Sequence, residues 1–546
     1  MAKLKNEEEN RMKKKRLLWL QGINEKIEKA DSKWEFAAVV ILAVLIVMGV
    51  TIGMGTMTSG FHLVDDHEFV EWEYQMKYEG DSILDMIKEK VLGDFVWRYE
   101  PLYYTTRMLS CYLFGINLPA YSILKALEII ISFICLYYCG KEMRASRIYS
   151  FLFAMVSLVG YQSAVWWKLG PQEAQCTMLF SAGYYCMLRY LKGKKKTFMV
   201  GSILLFAMMV NYKESFILLM PFLMLYVLYY ELMQEGGRIT WQTIIRGIKA
   251  HLAYLIILGC IFLIPVIVIV TYVGTNNYGS VGLEAGVPID VYVEAITRSL
   301  QGDLKWFKRF GILFCLILLT YWDELKKLWK EMLLTVAFLL PQFVIFGRSG
   351  MGERYILPSA IGFAYFFVIV ISKWKPLKNK RRVIYVFGIL LLLAAHGRVM
   401  LREADYFRHR GESVTAMLEA VNQMAKEDTN VLACFRPNEE GNLTINYWLK
   451  LHDFDNVYYW TEEAQIINKE CDINLQWPEE YYEEQSFKDM DIVVVYNNED
   501  RHWVYDMSLD LSDFQEIPCG TLTMYVRNGS VDQIIEPEVE GLRIHF

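Results

Sequence analysis

The feature that most constrains this chain is a succession of apolar runs close to the length needed to cross a bilayer, roughly 20 residues. Eleven such cores can be read: Phe36 to Met54, Ala120 to Tyr138, Ile148 to Val165, Ala174 to Tyr190, Thr197 to Val210, Phe216 to Tyr230, Leu252 to Val270, Phe310 to Tyr321, Met332 to Phe346, Ile356 to Ile371 and Val383 to Ala395. Apolar residues make up 54% of the chain and gather into these blocks instead of spreading evenly. The expected fold class is therefore a polytopic α-helical membrane protein with about 11 transmembrane helices. A net charge of -6 is small for 546 residues, so nucleic acid is not expected as a partner.

Lysine and arginine sort the loops by side. KKKR near the N-terminus, KEMRASR, RYLKGKKK, the Arg238 to Lys249 loop, KKLWK and KWKPLKNKRR alternate as eleven spans with a cytoplasmic N-terminus require. NYKES is read as a turn between two spans, because one span from Thr197 to Tyr230 would move the Arg238 to Lys249 loop outside. The organisation expected is a basic cytoplasmic segment over 1-35, a membrane domain over 36-398 with a large first outer loop over 56-119, and a soluble extracytoplasmic domain over 399-546. The first segment reads as a solvated or membrane-surface helix whose lysines face anionic lipid. The first apolar run is long and no small-residue cleavage pattern follows it, so it is expected to be an uncleaved anchor. In the last segment SVTAMLEAVNQMAKE alternates with NVLACF, NVYYW, DIVVVYN and TMYVR, helix and strand signals in turn, which predicts a small α/β domain. Ten cysteines without regular spacing or paired histidines signal neither a disulfide framework nor a zinc site.

Nearly every distinctive polar cluster falls on the outer side. HLVDDHEFVEWEY sets Asp65 and Asp66 where the chain leaves the first span. An aspartate there can cap the following helix, but a second carboxylate beside it costs repulsion unless a cation, a metal or a shared proton relieves it. Arg98 and Glu100 stand in WRYEP, Lys168 and Glu173 in WWKLGPQE, Lys213 and Glu214 in NYKES, and Arg348, Arg354 and Tyr355 in GRSGMGERYILP. Each cation has a plain use as a snorkelling anchor. Lys213 and Glu214 interrupt apolar sequence on both sides, where charge is expensive and points to function. Several cations beside carboxylates on one face could hold a lipid phosphate while a base works nearby. Aromatics, 15% of the chain, crowd the same loops at Trp72, Tyr74, Trp97, Tyr99, Tyr103, Tyr104, Trp166 and Trp167, as an interfacial belt would.

An acidic pair in the first outer loop, interfacial helices, many spans, a late R-Y-x-x-P turn and a soluble outer domain resemble the GT-C class of polytopic glycosyltransferases that use polyprenyl-phosphate sugars. VDDHEF is similar to the D-E-x-H-F pattern of the protein O-mannosyltransferase branch, except that His67 comes one residue early and Glu68 takes its place. The resemblance implies that Asp65 deprotonates an acceptor hydroxyl, while Asp66 orients the acceptor, supports the base or helps hold a divalent cation, Mg or Mn. It implies that Arg98, Lys168, Lys213, Arg348 and Arg354 are the residues to hold the donor phosphate. The partners it implies are a polyprenyl-phosphate sugar donor, the lipid bilayer, and a cell-surface glycan, glycolipid or protein as acceptor, at the plasma membrane. Two other classes stay open: a transporter or flippase of a lipid-linked sugar, for which Lys125 and Glu128 inside the second span speak, and a surface polysaccharide polymerase or ligase. A non-catalytic scaffold presenting the acidic tail is a further reading.

Overall fold

A computed structural model of the chain describes residues 32–95, 98–234, 237, 239–273, 288–319, 326–374, 381–435, 440–460, 466–467, 485–496 and 509–544. The N-terminal KKKR segment, Trp97, Cys471, most of the Thr275 to Val287 loop and much of the KWKPLKNKRR loop lie outside the described residues. The protein is a polytopic bundle of apolar helices with a sheet domain at its C-terminus. Each of the eleven apolar cores is mainly helical over its described residues, with Ile148 to Val165 and Phe216 to Tyr230 each broken once. Seven helices among the described residues are long and apolar enough to cross a membrane: Trp34–Gly53, Leu118–Glu142, Glu214–Gln234, Leu252–Val273, Lys326–Ile345, Glu353–Val370 and Arg382–Met424.

The shorter apolar helices matter for the site. Arg147–Leu158 has 12 residues and Lys196–Val210 has 15. At about 1.5 Å per residue they span roughly 18 and 22 Å, less than the ~30 Å of hydrocarbon. The segments that follow them are covered by protein: Trp166, Trp167 and Lys168 are buried, as are Tyr212 and Lys213. WWKLGPQE, expected as an outer loop, is an irregular segment packed under the first loop, where His62 Nδ1 meets Trp167 O at 3.0 Å and Tyr103 Oη donates to Gly170 O at 3.0 Å.

Arg381–Met424 is a single helix of 44 residues, about 66 Å long. Its first half is the last span. Its second half carries Val414, Met417, Leu418 and Val421 into the core of the C-terminal domain. That domain is a six-stranded mixed sheet: β1 (Val431–Cys434), β2 (Val457–Trp460), β3 (Ile466–Ile467), β4 (Ile492–Tyr496), β5 (Phe514–Cys519) and β6 (Leu522–Arg527), in the order β3-β2-β1-β4-β6-β5. Strand β1 is central, parallel to β2 and β4, and the remaining pairings are antiparallel. Burial of both faces explains the unbroken apolar run of β4, IVVVY. The β5–β6 turn docks on the long helix, where Ser413 Oγ accepts from Thr521 N at 3.0 Å. The C-terminal strap returns to the same helix, with Asp405 Oδ2 accepting from Arg543 N at 2.6 Å and Ile544 N at 2.7 Å.

The buried apolar side chains fall into two main bodies. One fills the bundle. The other joins the C-terminal sheet to the first loop, with Phe61, Leu63, Phe69, Val70, Trp72 and Leu169 in the same core as Val431, Ile492 and Met524. The first loop is thus clamped between the bundle and the domain that follows the last span. That clamp is where the acidic pair sits.

Candidate active site

The segment Ser59 to Asp66 makes a tight loop before the His67–Tyr74 helix. Asp66 occupies the N-cap position, yet its side chain makes no capping bond. Its carboxylate points backwards and accepts from His62 N at 2.6 Å and Val64 N at 3.2 Å. It is wholly buried there. Burial and the nearby Glu440 carboxylate push its pKa up to about 6, against the opposing help of those amides. His62 ties the loop down: Nδ1 lies 3.0 Å from Trp167 O and Nε2 lies 2.7 Å from Ser59 Oγ. Burial holds that imidazole neutral, at about 3. The resemblance implied that Asp66 orients the acceptor, supports the base or helps hold a divalent cation; in the structure its carboxylate bonds the backbone of the loop that carries Asp65.

Asp65 faces the other way. Its φ is +56°, and Leu63 has φ +53°, the left-handed region that aspartate visits more readily than leucine. The WWKLGPQE segment presses on it: a Cβ at Gly170 would overlap the Asp65 Cβ and the Val64 carbonyl, and would come within 2.9 Å of the Asp65 carbonyl carbon. Arg354 Nη1 sits 3.3 Å from Asp65 Oδ2, while Nη2 is 3.3 Å from Tyr355 Oη. Burial raises the Asp65 carboxyl, but Arg354 first, then Arg107, His67 and Arg98, outweigh it and hold the group below the usual carboxylate range. Asp65 is ionised, 37% open at its side chain, and faced by a guanidinium.

Around that pair lies a line of charges with little exposure. Arg354 Nε is 3.9 Å from Glu173 Oε1, and neither Glu173 oxygen has a hydrogen-bond partner although both are buried. Lys168 bonds Glu353 and lies 4.3 Å over the Phe407 ring. Burial, opposed by Glu353, lowers the Lys168 ammonium. Lys213 Nζ donates to Glu100 Oε1 at 2.9 Å, and Arg98 Nη1 stands 3.8 Å from the same oxygen. Burial disfavours charge on Lys213, but Glu100 more than restores it. Glu214 Oε1 accepts from Tyr99 N at 2.9 Å and Asn211 Oδ1 from Tyr99 Oη at 2.7 Å, which stitches the NYKES turn to the end of the first loop. The two groups adjoin, since Arg98 feels Asp65 and Lys213 feels Glu173.

Nine of the eleven residues singled out in the sequence thus line one charged crevice at the C-terminal-domain end of the bundle. Asp66 lies beneath it, holding the loop. Arg348 is at the edge, in the turn where Gly347 approaches Tyr292 of the Ile289–Gln301 helix to 3.1 Å for an added Cβ. Lys125, which speaks for a transporter, donates to Pro171 O and to Gln175 Oε1, so it supports the WWKLGPQE segment. Four contributors carry weaker signals in the sequence. Arg107 Nη1 lies 2.7 Å from Glu68 Oε2 and its Cζ 4.7 Å from the Phe69 ring centre, and its i, i+4 spacing from Tyr103 was the readable clue. Gly170 and Glu353 are neighbours of noted residues. Glu440 comes from the distant domain and had no local mark.

The described residues bring together no group of three or more His, Cys, Asp or Glu side chains placed to hold a metal ion. The cation facing Asp65 is Arg354, and the Asp66 carboxylate is turned into backbone amides. This donor set does not fit a divalent ion bridging the two aspartates.

No family model matches the chain, and no curated protein matches it. Among solved structures it is similar to ArnT from Cupriavidus metallidurans bound to undecaprenyl phosphate, at 12% identity and a TM-score of 0.49, over 92% of this chain and 99% of that one. It is also similar to the Archaeoglobus fulgidus oligosaccharyltransferase in the apo form, at 12% identity and 0.44, over 76% of this chain and 64% of that one. The apo state of the same ArnT gives 12% and 0.41, over 76% and 83%. Scores below 0.5 leave the functional reading to rest on the chain's own residues.

Proposed function

We propose that the chain is an integral-membrane glycosyltransferase of the GT-C kind, moving a sugar from a polyprenyl-phosphate carrier to a hydroxyl of a cell-surface acceptor. The observation that carries the reading is Asp65: an ionised carboxylate on a left-handed backbone, 37% open, with Arg354 3.3 Å away and with Lys168, Lys213 and Arg98 paired to carboxylates of the surrounding charge cluster. A base and a phosphate cradle are what this transfer needs.

In the reaction the acceptor O–H gives its proton to Asp65 as its oxygen attacks the anomeric carbon. The bond from that carbon to the carrier phosphate breaks, and the phosphate leaves with the bonding pair. No covalent enzyme intermediate is required, so positioning and electrostatic stabilisation do the work. Arg354 has two uses here. It holds Asp65 ionised but weakly basic before the donor arrives, and a donor phosphate draws the guanidinium to itself by a bidentate pair, which returns basicity to Asp65. Lys168, Lys213 and Arg98 already hold carboxylates, and exchange them in part for the departing phosphate.

The orientation supported by charge has the site on the extracytoplasmic face. Lys141, Arg147, Arg189, Lys192 and Lys194 gather at the other end of the bundle, around Glu35, Glu142 and Glu231, as cytoplasmic loops would. The N-terminus is then cytoplasmic and the sheet domain outside, at the plasma membrane.

The test compares surface-glycan masses in cells with the native protein, without it, and with Asp65→Asn at equal abundance. Loss of one sugar substituent in both the null and the Asn cells supports the reading, and the missing mass names the sugar. A native glycan profile in the Asn cells overturns it and favours transport.

A further inference from the structure

The structure assigns Glu440, a residue of the C-terminal domain, as the positioning residue that holds Asp65 in its left-handed conformation, so that the domain after the last span completes the active site. The assignment of a catalytic consequence rests on the glycosyltransfer reading above; the tether itself does not.

Glu440 opens the Glu440–Lys450 helix, and its Oε2 accepts from the Asp65 backbone N–H at 2.7 Å, across 375 positions of chain. The same oxygen lies 3.7 Å from His67 Nδ1, an ion-pair distance, so one carboxylate holds the Asp65 amide and the His67 imidazole on either side of Asp66. His67 is cationic there: burial opposes charge, but Glu440 first, then Glu68 and Glu71, raise the imidazole to about 9. The grip is rigid at its root. A Cβ at Gly441 would overlap the Phe435 ring, so the helix starts pressed against the end of β1. Tyr447 on the same helix meets Tyr74 of the first-loop helix at 5.6 Å between ring centres.

A non-glycine residue at φ +56° persists only where its surroundings over-determine it. Three constraints act on Asp65: the Asp66 carboxylate beneath the loop, the bare face of Gly170, and Glu440. The first two belong to the membrane region. Glu440 alone comes from outside it and alone bonds the Asp65 amide directly, so movement of the C-terminal domain is transmitted to the base.

The full chain in nanodiscs separates the tether from the chemistry. Hydrogen exchange of a peptide covering residues 62–68 reads the tether, and donor turnover reads the consequence. Glu440→Ala is expected to speed exchange at the Asp65 amide about tenfold and to lower kcat by a similar factor, with KM for the donor changed less than about twofold. Glu440→Gln keeps an acceptor oxygen and is expected to restore most of both. Glu440→Asp, one methylene short, is expected to behave like Ala and serves if the Ala variant does not fold. Unchanged exchange in the Ala and Asp variants overturns the tether. Faster exchange with native kcat, in a protein that Asp65→Asn inactivates, overturns the positioning role while leaving the transfer reading intact. Normal transfer by Asp65→Asn overturns the assignment of Asp65 as the base, and the exchange data still decide the tether.

Discussion

The two ends of the bundle both carry ion pairs, and they are built differently. At the basic end Arg189 and Lys192 pair with Glu142, and Lys194 pairs with Glu231, with side chains 40%, 66% and 52% exposed. At the other end Lys168, Lys213 and Arg354 are 3%, 10% and 20% exposed, and their carboxylate partners include Glu100 and Glu173, whose buried oxygens are not fully bonded. Exposed pairs contribute little to stability and serve orientation in the membrane. Buried, incompletely bonded charges are costly and are kept where they have something to do. Arg147 and Glu35 at the basic end are also little exposed, 12% and 11%, but there two guanidinium donors bond the carboxylate, so the contrast lies in incomplete bonding as much as in burial.

The contrast breaks most sharply at Lys213. Lys213→Met leaves Glu100 buried beside Arg98 at 3.8 Å alone, and an uncompensated buried charge costs about 3–5 kcal/mol. A large fall in thermal stability in detergent is expected, with much of it recovered in Lys213→Met/Glu100→Gln; equal midpoints for the native and single variant would show the pair to be surface-like after all. A smaller effect is expected at Gly170, where an added Cβ overlaps Asp65. Gly170→Ala should cost about 1–3 kcal/mol by overpacking and displace the base. Its signature is loss of transfer at nearly native abundance, and undiminished transfer would argue that the WWKLGPQE segment does not set the position of Asp65.

The pH response sharpens the comparison further. His67 is raised from 6.5 to about 9, and it faces Glu440, Glu68, Glu71, Asp65 and Asp66. A raised histidine contributes stability that is complete below 6.5 and is lost as pH rises through about 9. Thermal stability of the native protein should therefore decline across that window more than that of His67→Gln; parallel profiles would remove His67 from the lock. The smallest effect belongs to the basic end. Arg189→Ala with Lys192→Ala is expected to cost at most about 1 kcal/mol and to leave transfer unchanged. A loss of transfer there would erase the distinction between the ends.

Much of this was legible in the residues. Apolar runs mark helices because a bilayer leaves no other way to satisfy the backbone, and charges inside or beside those runs are conspicuous because they are expensive. Lys213, Glu214, Arg354 and Asp65 were visible for that reason. Asp65 and Asp66, by contrast, are adjacent and chemically identical, and nothing local tells them apart. Their division of labour depends on backbone sign: φ of +56° at Asp65 and −93° at Asp66 sends one carboxylate into the crevice and the other under the loop.

The sequence by itself determined that the chain crosses a membrane many times, which loops carry charge, and that a strand-and-helix domain follows the last span, because these depend on composition and period along the chain. The tertiary structure decided which aspartate is open, that WWKLGPQE is buried under the first loop, and that Glu440 reaches Asp65. Those outcomes depend on how the first loop packs and on one 44-residue helix carrying the C-terminal domain onto it. They are relations between segments far apart in the chain, which local spacing does not encode.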